Sequence, residues 1–185
     1  MLGPKPSALP LGDGPTSRTP LILHFSSSKV KLCYNIPMIF PTEQSLTAFA
    51  ERLGAFLRTQ PLPQTLELIG DVGAGKTTFT RALARGLGIK DPVTSPSFTI
   101  SKKYSFDNNF LVHYDFYRLQ DPGLMADDLA ESLTDQNTLV VLEWADSVQD
   151  ILPRNHLQIT FKIKNNGSRE LIFNQPMEKL YATLS

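Results

Sequence analysis

The sequence predicts a single α/β domain in which a mixed central sheet is flanked by helices. Three observations lead to this fold class. Apolar residues recur at helical spacing in separate segments, short apolar runs between turn residues indicate strands, and two pairs of these runs are close enough in the chain to form hairpins. Strands joined through helices pair in parallel and hairpins pair antiparallel, so together they give a mixed sheet. The length of 185 residues suits one domain.

The predicted elements begin just after Met38. The helices show apolar stripes at spacings of three and four residues, as for Leu46, Phe49 and Leu53. One later strand is apolar almost throughout, which is typical of a strand buried on both faces. In chain order the sequence predicts a helix over 42–57, a strand over 65–69, a helix over 76–87, a strand over 98–106, a turn over 107–109, a strand over 110–117, a helix over 121–133, a strand over 138–142, and a hairpin of strands 156–164 and 169–173.

The first 37 residues differ in composition from the rest. They are rich in proline, serine and glycine and contain one acidic residue, Asp13. This composition is typical of a disordered tail, and an organelle transit peptide is a second interpretation. We favour a third, in which Met38 is the true start and residues 1–37 are an upstream extension of the reading frame. Peptides from before Met38 in the native protein would contradict it. The folded domain is predicted to span 38–185.

Charge, cysteine content and the lengths of the apolar runs indicate which binding partners and which cellular compartment to expect. Lysine plus arginine and aspartate plus glutamate each number 18, so the net charge is zero and nothing favours binding to bare nucleic acid, DNA included. The single cysteine, Cys33, excludes an intrachain disulfide, which fits a reducing compartment such as the cytoplasm. No apolar run approaches the roughly 20 residues that span a bilayer, so no membrane association is predicted.

The segment from Gly70 to Thr77 has the sequence G-D-V-G-A-G-K-T and matches the phosphate-binding pattern G-x-x-x-x-G-K-[ST] in full. Its glycines let backbone N–H groups approach a phosphate chain, and the following helix adds the positive end of its dipole. Lys76 is expected at the β- and γ-phosphates of ATP, and the Thr77 hydroxyl at Mg²⁺. The predicted nucleotide-binding residues here are Gly70, Asp71, Val72, Gly73, Ala74, Gly75, Lys76, Thr77 and Thr78.

Two carboxylates are the candidate acidic partners of this loop. Glu143 is placed just past the apolar strand 138–142, where a Walker B carboxylate occurs, and Trp144 follows it. Alternation along a strand puts His113 and Asp115 on one face. We predict Glu143, Asp115 and Lys76 as catalytic residues, Thr77 and the two carboxylates as metal ligands, and His113 and Trp144 as supporting residues.

A short loop after the second helix carries two further hydroxyls. Ser95 and Ser97 flank Pro96, which fixes the backbone between them. Such a loop is able to sense the γ-phosphate, as switch loops do. A plain serine-proline turn is the simpler interpretation of the same residues.

Four segments, taken in order, resemble the TsaE family (also called YjeE), bacterial P-loop ATPases of tRNA modification. They are 70–78, 95–98, 113–119 and 142–145, against the family patterns G-D-x-G-A-G-K-T-T, S-P-T-[FY], H-x-D-x-Y-R-L and [IV]-E-W-P. Ser97 stands where the family has threonine, and Ala145 where it has proline. The resemblance runs from about Met38 to the C-terminus and implies a P-loop NTPase fold.

The resemblance also implies a role. Family members bind and slowly hydrolyse ATP with Mg²⁺, and they act with TsaB and TsaD, which make threonylcarbamoyladenosine in tRNAs that read codons starting with A. TsaD with TsaB transfers the group, so tRNA is met only through the complex. By resemblance, Lys76 and Thr77 serve phosphate and Mg²⁺, Asp115 and Glu143 the metal and catalytic centre, and Arg169 lies near the nucleotide.

Three other functions compete with an ATPase on the residues alone. A small-molecule kinase needs an arginine-bearing lid, and the sequence from Gly88 to Asp135 has no arginine cluster. A GTPase switch needs an N-K-x-D segment, which the chain lacks. A nucleotide-binding scaffold without useful turnover stays open, because Glu143 is able to hold Mg²⁺ without positioning water.

Overall fold

The computed structural model describes residues 37–62, 64–117 and 119–175. The predicted leader, apart from residue 37, and the end of the predicted domain, 176–185, lie outside the described residues. Within the described ranges the elements are β1 (Met38–Phe40), α1 (Glu43–Leu57), β2 (Gln64–Ile69), α2 (Lys76–Leu87), β3 (Ser101–Phe106), β4 (Asn109–Asp115), α3 (Leu124–Thr134), β5 (Thr138–Glu143), a 3-10 helix (Ala145–Ile151), β6 (Leu157–Ile163) and β7 (Arg169–Phe173).

The strands form one mixed sheet in the order β1-β7-β6-β2-β5-β4-β3. The four strands β6, β2, β5 and β4 pair in parallel. The β3–β4 and β6–β7 hairpins and the β1–β7 pair are antiparallel. The predicted fold class, an α/β domain with a mixed central sheet, is therefore confirmed. None of the helices in the described part of the chain is long and apolar enough to cross a membrane.

Each face of the sheet is covered by its own apolar core. Strand β5 shows the division, since Leu139 and Val141 pack in the core under α1 and α2, whereas Val140 and Leu142 pack in the core under α3 and the 3-10 helix. All six residues of this strand are buried. A strand covered on both faces must be apolar in both alternating positions, which is why it was recognised from the sequence.

Local signals set the ends of the first two helices. Thr42 caps α1, because its hydroxyl accepts a hydrogen bond from the Ser45 backbone N–H at 3.1 Å, and the Ser45 hydroxyl accepts one from the Thr42 N–H at 3.2 Å. Helix α2 spans Lys76–Leu87 as predicted and ends at Gly88, whose φ of +88° suits a glycine C-cap.

Two predicted elements begin later than expected. The strand predicted over 98–106 starts at Ser101, because the N–H groups of Thr99 and Ile100 both donate to the Pro96 carbonyl and close a turn. Ile100 also has a φ of +65°, which interrupts extended backbone. The helix predicted over 121–133 spans Leu124–Thr134, since the carboxylate oxygen of Asp121 accepts the Gly123 N–H in a turn before it. Strand β1 and the 3-10 helix were not predicted.

Two glycines let α1 and α2 pack closely. A Cβ on Gly86 would lie 1.9 Å from the Glu51 carbonyl oxygen, and one on Gly54 would lie 2.1 Å from the Leu83 carbonyl oxygen. Backbone atoms of a packed helix cannot move aside as a flexible side chain does. The backbones of the two helices therefore meet in direct contact at these positions.

We expect Gly86→Ala to destabilise the protein. Helix propensity alone would make alanine about 1 kcal/mol more favourable than glycine here. Overpacking a well-filled contact costs about 1–3 kcal/mol, and the clash with Glu51 is with backbone, so the net effect is a loss of stability. Urea unfolding measures it, and a variant more stable than the wild type would contradict the contact.

Candidate functional site

The candidate site lies at the carboxyl ends of three neighbouring parallel strands. Leu68 of β2 is paired with Glu143 of β5, and Glu143 is paired with Asp115 of β4. The loop Gly70–Thr77 follows β2 directly, so it begins beside both carboxylates. Glu143 is the last residue of β5 rather than a residue past its end, which corrects the predicted strand boundary. Ligands of open α/β sheets bind at this edge.

The backbone of the loop has the conformation that phosphate binding requires. Gly70, Gly73 and Gly75 have φ values of +150°, +79° and +105°, which residues with a Cβ rarely adopt. A Cβ on Gly70 would lie 2.7 Å from the Phe161 carbonyl oxygen. No side chain caps the first turn of α2. Its N–H groups, together with the positive end of the helix dipole, are available to an anion.

The ammonium group of Lys76 is held inside the loop. Its Nζ donates to the carbonyl oxygens of Gly70 at 2.6 Å and Asp71 at 3.0 Å, and it lies 4.1 Å from the centre of the Trp144 ring. Burial lowers the pKa of Lys76, while the negative charges of Glu143, Asp115 and Asp71 act to raise it. The cation is therefore surrounded by oxygen atoms and an aromatic face at the centre of the loop.

Glu143 is bound by two side chains from other elements. The Thr77 hydroxyl donates to its carboxylate, with distances of 3.1 and 3.2 Å to the two oxygens. His113 Nε2 lies 3.0 Å from Oε1, and both residues are buried. His113 Nδ1 has no hydrogen-bond partner among the described residues. The neutral ring with its proton on Nε2 satisfies this contact, so His113 donates to Glu143 and orients it.

Asp115 is bound by the serine loop. The hydroxyls of Ser95 and Ser97 donate to its Oδ2 at 2.9 and 2.5 Å, and the Tyr117 N–H donates to its Oδ1 at 3.1 Å. The structure thus places both serines against Asp115. A sensing role for this loop would act through the carboxylate that its hydroxyls hold.

Trp144 closes one side of the cleft. Its φ of +58° and ψ of +47° put it in the left-handed region, which reverses the chain after β5. Its ring lies 4.8 Å from that of Tyr117. A non-glycine residue in this conformation costs about 1–3 kcal/mol and persists only where the surroundings hold it. Here the ring contacts with Lys76 and Tyr117 provide that support.

The cleft between these groups has a volume of about 440 Å³. Most of the sequence-predicted residues line it: Val72, Gly73, Ala74, Gly75, Lys76, Thr77, Thr78, Ser95, Ser97, Asp115, Glu143 and Trp144. Gly70 and Asp71 line a neighbouring hollow instead, and His113 is buried. Phe98, whose exposed fraction is 92%, and Tyr117 also line it, although neither was predicted. Their positions in the sequence could have indicated both, since Phe98 directly follows Ser97 and Tyr117 lies two residues after Asp115.

Arg169 is another predicted residue that does not line the cleft. It is the first residue of β7 and pairs with Ile163 at the end of β6, on the same sheet edge as the phosphate loop. Its guanidinium donates to the carbonyl of Gly167 within its own hairpin. Strand β6 lies between β7 and β2, the strand that leads into the phosphate loop, so a role for Arg169 near a nucleotide stays a prediction.

The residues present fit a magnesium ion bound together with a nucleotide. The described part of the chain contains no group of three or more His, Cys, Asp or Glu side chains able to hold a metal ion. Mg²⁺ commonly takes one or two protein oxygens and completes its shell with phosphate and water. A hydroxyl and a carboxylate 3.1 Å apart, Thr77 and Glu143, form such a partial set beside the phosphate loop.

Comparison with known proteins finds matches to one family. The family model described as threonylcarbamoyl adenosine biosynthesis protein TsaE matches residues 40–171. The tRNA threonylcarbamoyladenosine biosynthesis protein TsaE of Bacillus subtilis is 44% identical over 110 residues, which are 58% of this chain and 67% of that protein. The protein of the same description from Borreliella burgdorferi is 33% identical over 132 residues, or 69% of this chain and 92% of that one.

A solved structure shares the fold. The crystal structure of YdiB from Bacillus subtilis superposes with a TM-score of 0.60 at 31% sequence identity, covering 85% of this chain and 95% of the other. The residues that the family model matches, 40–171, include the phosphate loop and the two strands that carry the candidate carboxylates.

Proposed function

The chain belongs to the TsaE family of threonylcarbamoyl adenosine biosynthesis proteins, and on that premise we propose that it binds ATP with Mg²⁺ and hydrolyses it for the modification of tRNA. Family membership gives its part in tRNA threonylcarbamoyladenosine biosynthesis. The hydrolysis, the metal and the partners are the proposal. Its main support is the contact of Thr77 with Glu143 directly beside a complete phosphate loop.

The residues of the cleft have different roles in the proposed hydrolysis. The amide groups at the start of α2 and the ammonium of Lys76 bind the phosphates, where they offset charge that develops on the transferred group. Thr77, with Glu143 or Asp115, would hold Mg²⁺, which would supply further positive charge at the phosphate oxygens. Glu143, fixed by His113, orients the attacking water. Asp115 holds the serine loop against the same centre.

The partners proposed are TsaB and TsaD, with tRNA reached through their complex in the cytoplasm. The support is family membership, because members act in the pathway that makes threonylcarbamoyladenosine next to the anticodon of tRNAs for codons starting with A. TsaD with TsaB transfers the group in that scheme, so this chain drives or resets the complex.

One experiment separates the candidate functions. ATP hydrolysis is measured with the purified chain alone and with TsaB and TsaD added. Slow turnover that the partners stimulate supports the proposal. Transfer of phosphate to a metabolite instead of water would indicate a small-molecule kinase. Tight ATP binding with no turnover under either condition would indicate a nucleotide-dependent scaffold.

Loss of the His113 donor is expected to lower hydrolysis without abolishing nucleotide binding. His113→Leu removes the hydrogen bond to Glu143, whereas His113→Gln offers a side-chain N–H of similar reach. Removing a group that orients a metal-site ligand typically costs about 10- to 100-fold in activity. We expect a loss of that size in the leucine variant and a smaller one in the glutamine variant. Equal kcat values for wild type and leucine variant would exclude the orienting role.

A further inference from the structure

A buried polar cluster lies on the sheet face opposite α1 and α2 and takes no part in the proposed chemistry. Its centre is Glu67 of β2, which is 3% exposed. The register pairs Glu67 with Leu142 of β5 on one side and with Gln158 of β6 on the other. Leu142 belongs to the apolar core under α3 and the 3-10 helix. The cluster therefore begins where that core ends, three residues before the phosphate loop.

Both oxygens of the Glu67 carboxylate have hydrogen-bond partners. Gln158 Nε2 lies 2.8 Å from Oε2, and Gln149 of the 3-10 helix donates to Oε1 through its own side-chain amide. His156 Nε2 lies 2.8 Å from Oε2. Amide N–H groups are donors only, so two of these three contacts require Glu67 to accept. An ionised carboxylate, which accepts at both oxygens, satisfies them all.

His156 has an acceptor at each ring nitrogen. Its Nδ1 lies 2.6 Å from the Pro153 carbonyl oxygen, which cannot donate, while its Nε2 faces the Glu67 carboxylate. Facing an ionised Glu67, a neutral imidazole with its one N–H would leave one of these contacts between two lone pairs. Only the imidazolium form donates at both. Asp71 and Asp146 line the hollow beside Glu67, so the other charged groups there are also acidic.

We infer that Glu67 and His156 form a buried carboxylate–imidazolium pair that positions the 3-10 helix directly after Glu143 and Trp144. Through Gln149, the pair joins the 3-10 helix Ala145–Ile151 to β2, the strand that leads into the phosphate loop. Trp144 precedes that helix directly and contacts Lys76. Backbone hydrogen bonds of a 3-10 helix have poorer geometry than those of an α-helix, so side-chain contacts of this kind help to decide where it lies.

Nuclear magnetic resonance tests the charge state in the full chain without nucleotide. Ring ¹⁵N shifts distinguish a doubly protonated imidazole from either neutral tautomer, and His156→Asn assigns the signal. At neutral pH we expect both His156 nitrogens protonated in the wild type and a neutral ring in Glu67→Gln. The matched control is Glu170→Gln, which removes another buried strand carboxylate with a cationic partner, Lys164, and should leave His156 charged. A neutral His156 ring in the wild type would overturn the pair.

Hydrogen exchange and fluorescence test the positioning. In Glu67→Gln we expect the amides of 145–151 to exchange roughly tenfold faster or more, since hydrogen bonds to a charged group are lost, while α1 and α2 keep their protection. Trp144 is the one tryptophan of the chain, so its emission reports the same segment. Unchanged exchange and emission, with His156 neutralised, would refute the positioning role. If Glu67→Gln does not fold, the ring shifts of the wild type test the pair, and amide exchange and Trp144 emission in His156→Asn test the positioning.

The consequence for hydrolysis rests on the proposed function. If the chain hydrolyses ATP, Glu67→Gln should lower kcat several-fold with little change in KM, because the phosphate loop is untouched while the segment after Glu143 is loosened. A chain without hydrolysis would count against the proposed function alone, since the ring shifts and the exchange rates are measured without nucleotide.

Discussion

Lys76→Ala is expected to abolish measurable ATP hydrolysis and to weaken ATP binding about 100-fold, which corresponds to about 2.8 kcal/mol. The ammonium of Lys76 is the cation that the loop encloses, within 3.0 Å of two of its carbonyl oxygens. In the proposed complex it contacts the phosphates, and losing one such electrostatic donor lowers kcat by about 100- to 1,000-fold. Binding is measured by calorimetry and turnover by phosphate release.

The control for this substitution is Lys90→Ala, which removes an exposed lysine just beyond α2 and should leave both quantities unchanged. Circular dichroism and thermal unfolding establish that Lys76→Ala keeps the fold. We expect this, because the substitution also removes a cation whose charged form is disfavoured by burial. Lys76→Met, which keeps the length of the stem, should behave like the alanine variant. Wild-type turnover in either variant would exclude the loop as the catalytic nucleotide site.

Glu143→Gln should separate binding from hydrolysis. The carboxylate accepts hydrogen bonds from Thr77 and from His113, and an amide in its place offers one acceptor and turns a donor toward one of them. Loss of a positioned acid–base group costs about 100- to 10,000-fold in rate. Because the phosphate loop is intact, we expect ATP affinity to change by less than about tenfold. Single-turnover hydrolysis and equilibrium binding measure the two effects.

The matched control is Glu131→Gln on the exposed face of α3, which should hydrolyse ATP at the wild-type rate. If Glu143→Gln also keeps the wild-type rate, the catalytic role moves to Asp115, and Asp115→Asn should then show the larger loss. Asp115 holds the serine loop as well, so its variant is expected to disturb 95–97 in addition to the chemistry.

Where local signals were complete, the fold was predicted to the residue. Helix α2 and strand β7 have their predicted bounds, because glycines, a hairpin turn and apolar spacing mark both ends of each. The three-residue β1 was missed, since so short a run carries no periodic pattern. The prediction of a strand over 98–106 was wrong for its first three residues, because the backbone there closes a turn on the Pro96 carbonyl.

The sequence predicted which residues belong to the site better than it predicted which of them form hydrogen bonds with one another. Lys76, Thr77, Asp115 and Glu143 lie around one cleft, as the motif spacing implied. The pairing of His113 with Glu143 and of Ser95 with Asp115 was not derivable, since the partners come from separate elements. Each of these hydrogen bonds depends on the register between neighbouring strands and on where a loop is laid across them.

The sequence by itself determined the phosphate loop, because a run of eight residues fixes its own backbone through glycine conformations and the helix that follows. It also determined the order of helices and strands, through apolar spacing along the chain. Only the tertiary structure decided what stands next to that loop. Glu67 meets His156 across 89 residues, and Arg169 turns toward its own hairpin rather than the cleft. Such contacts arise from the packing of distant segments, whose distances no local pattern contains.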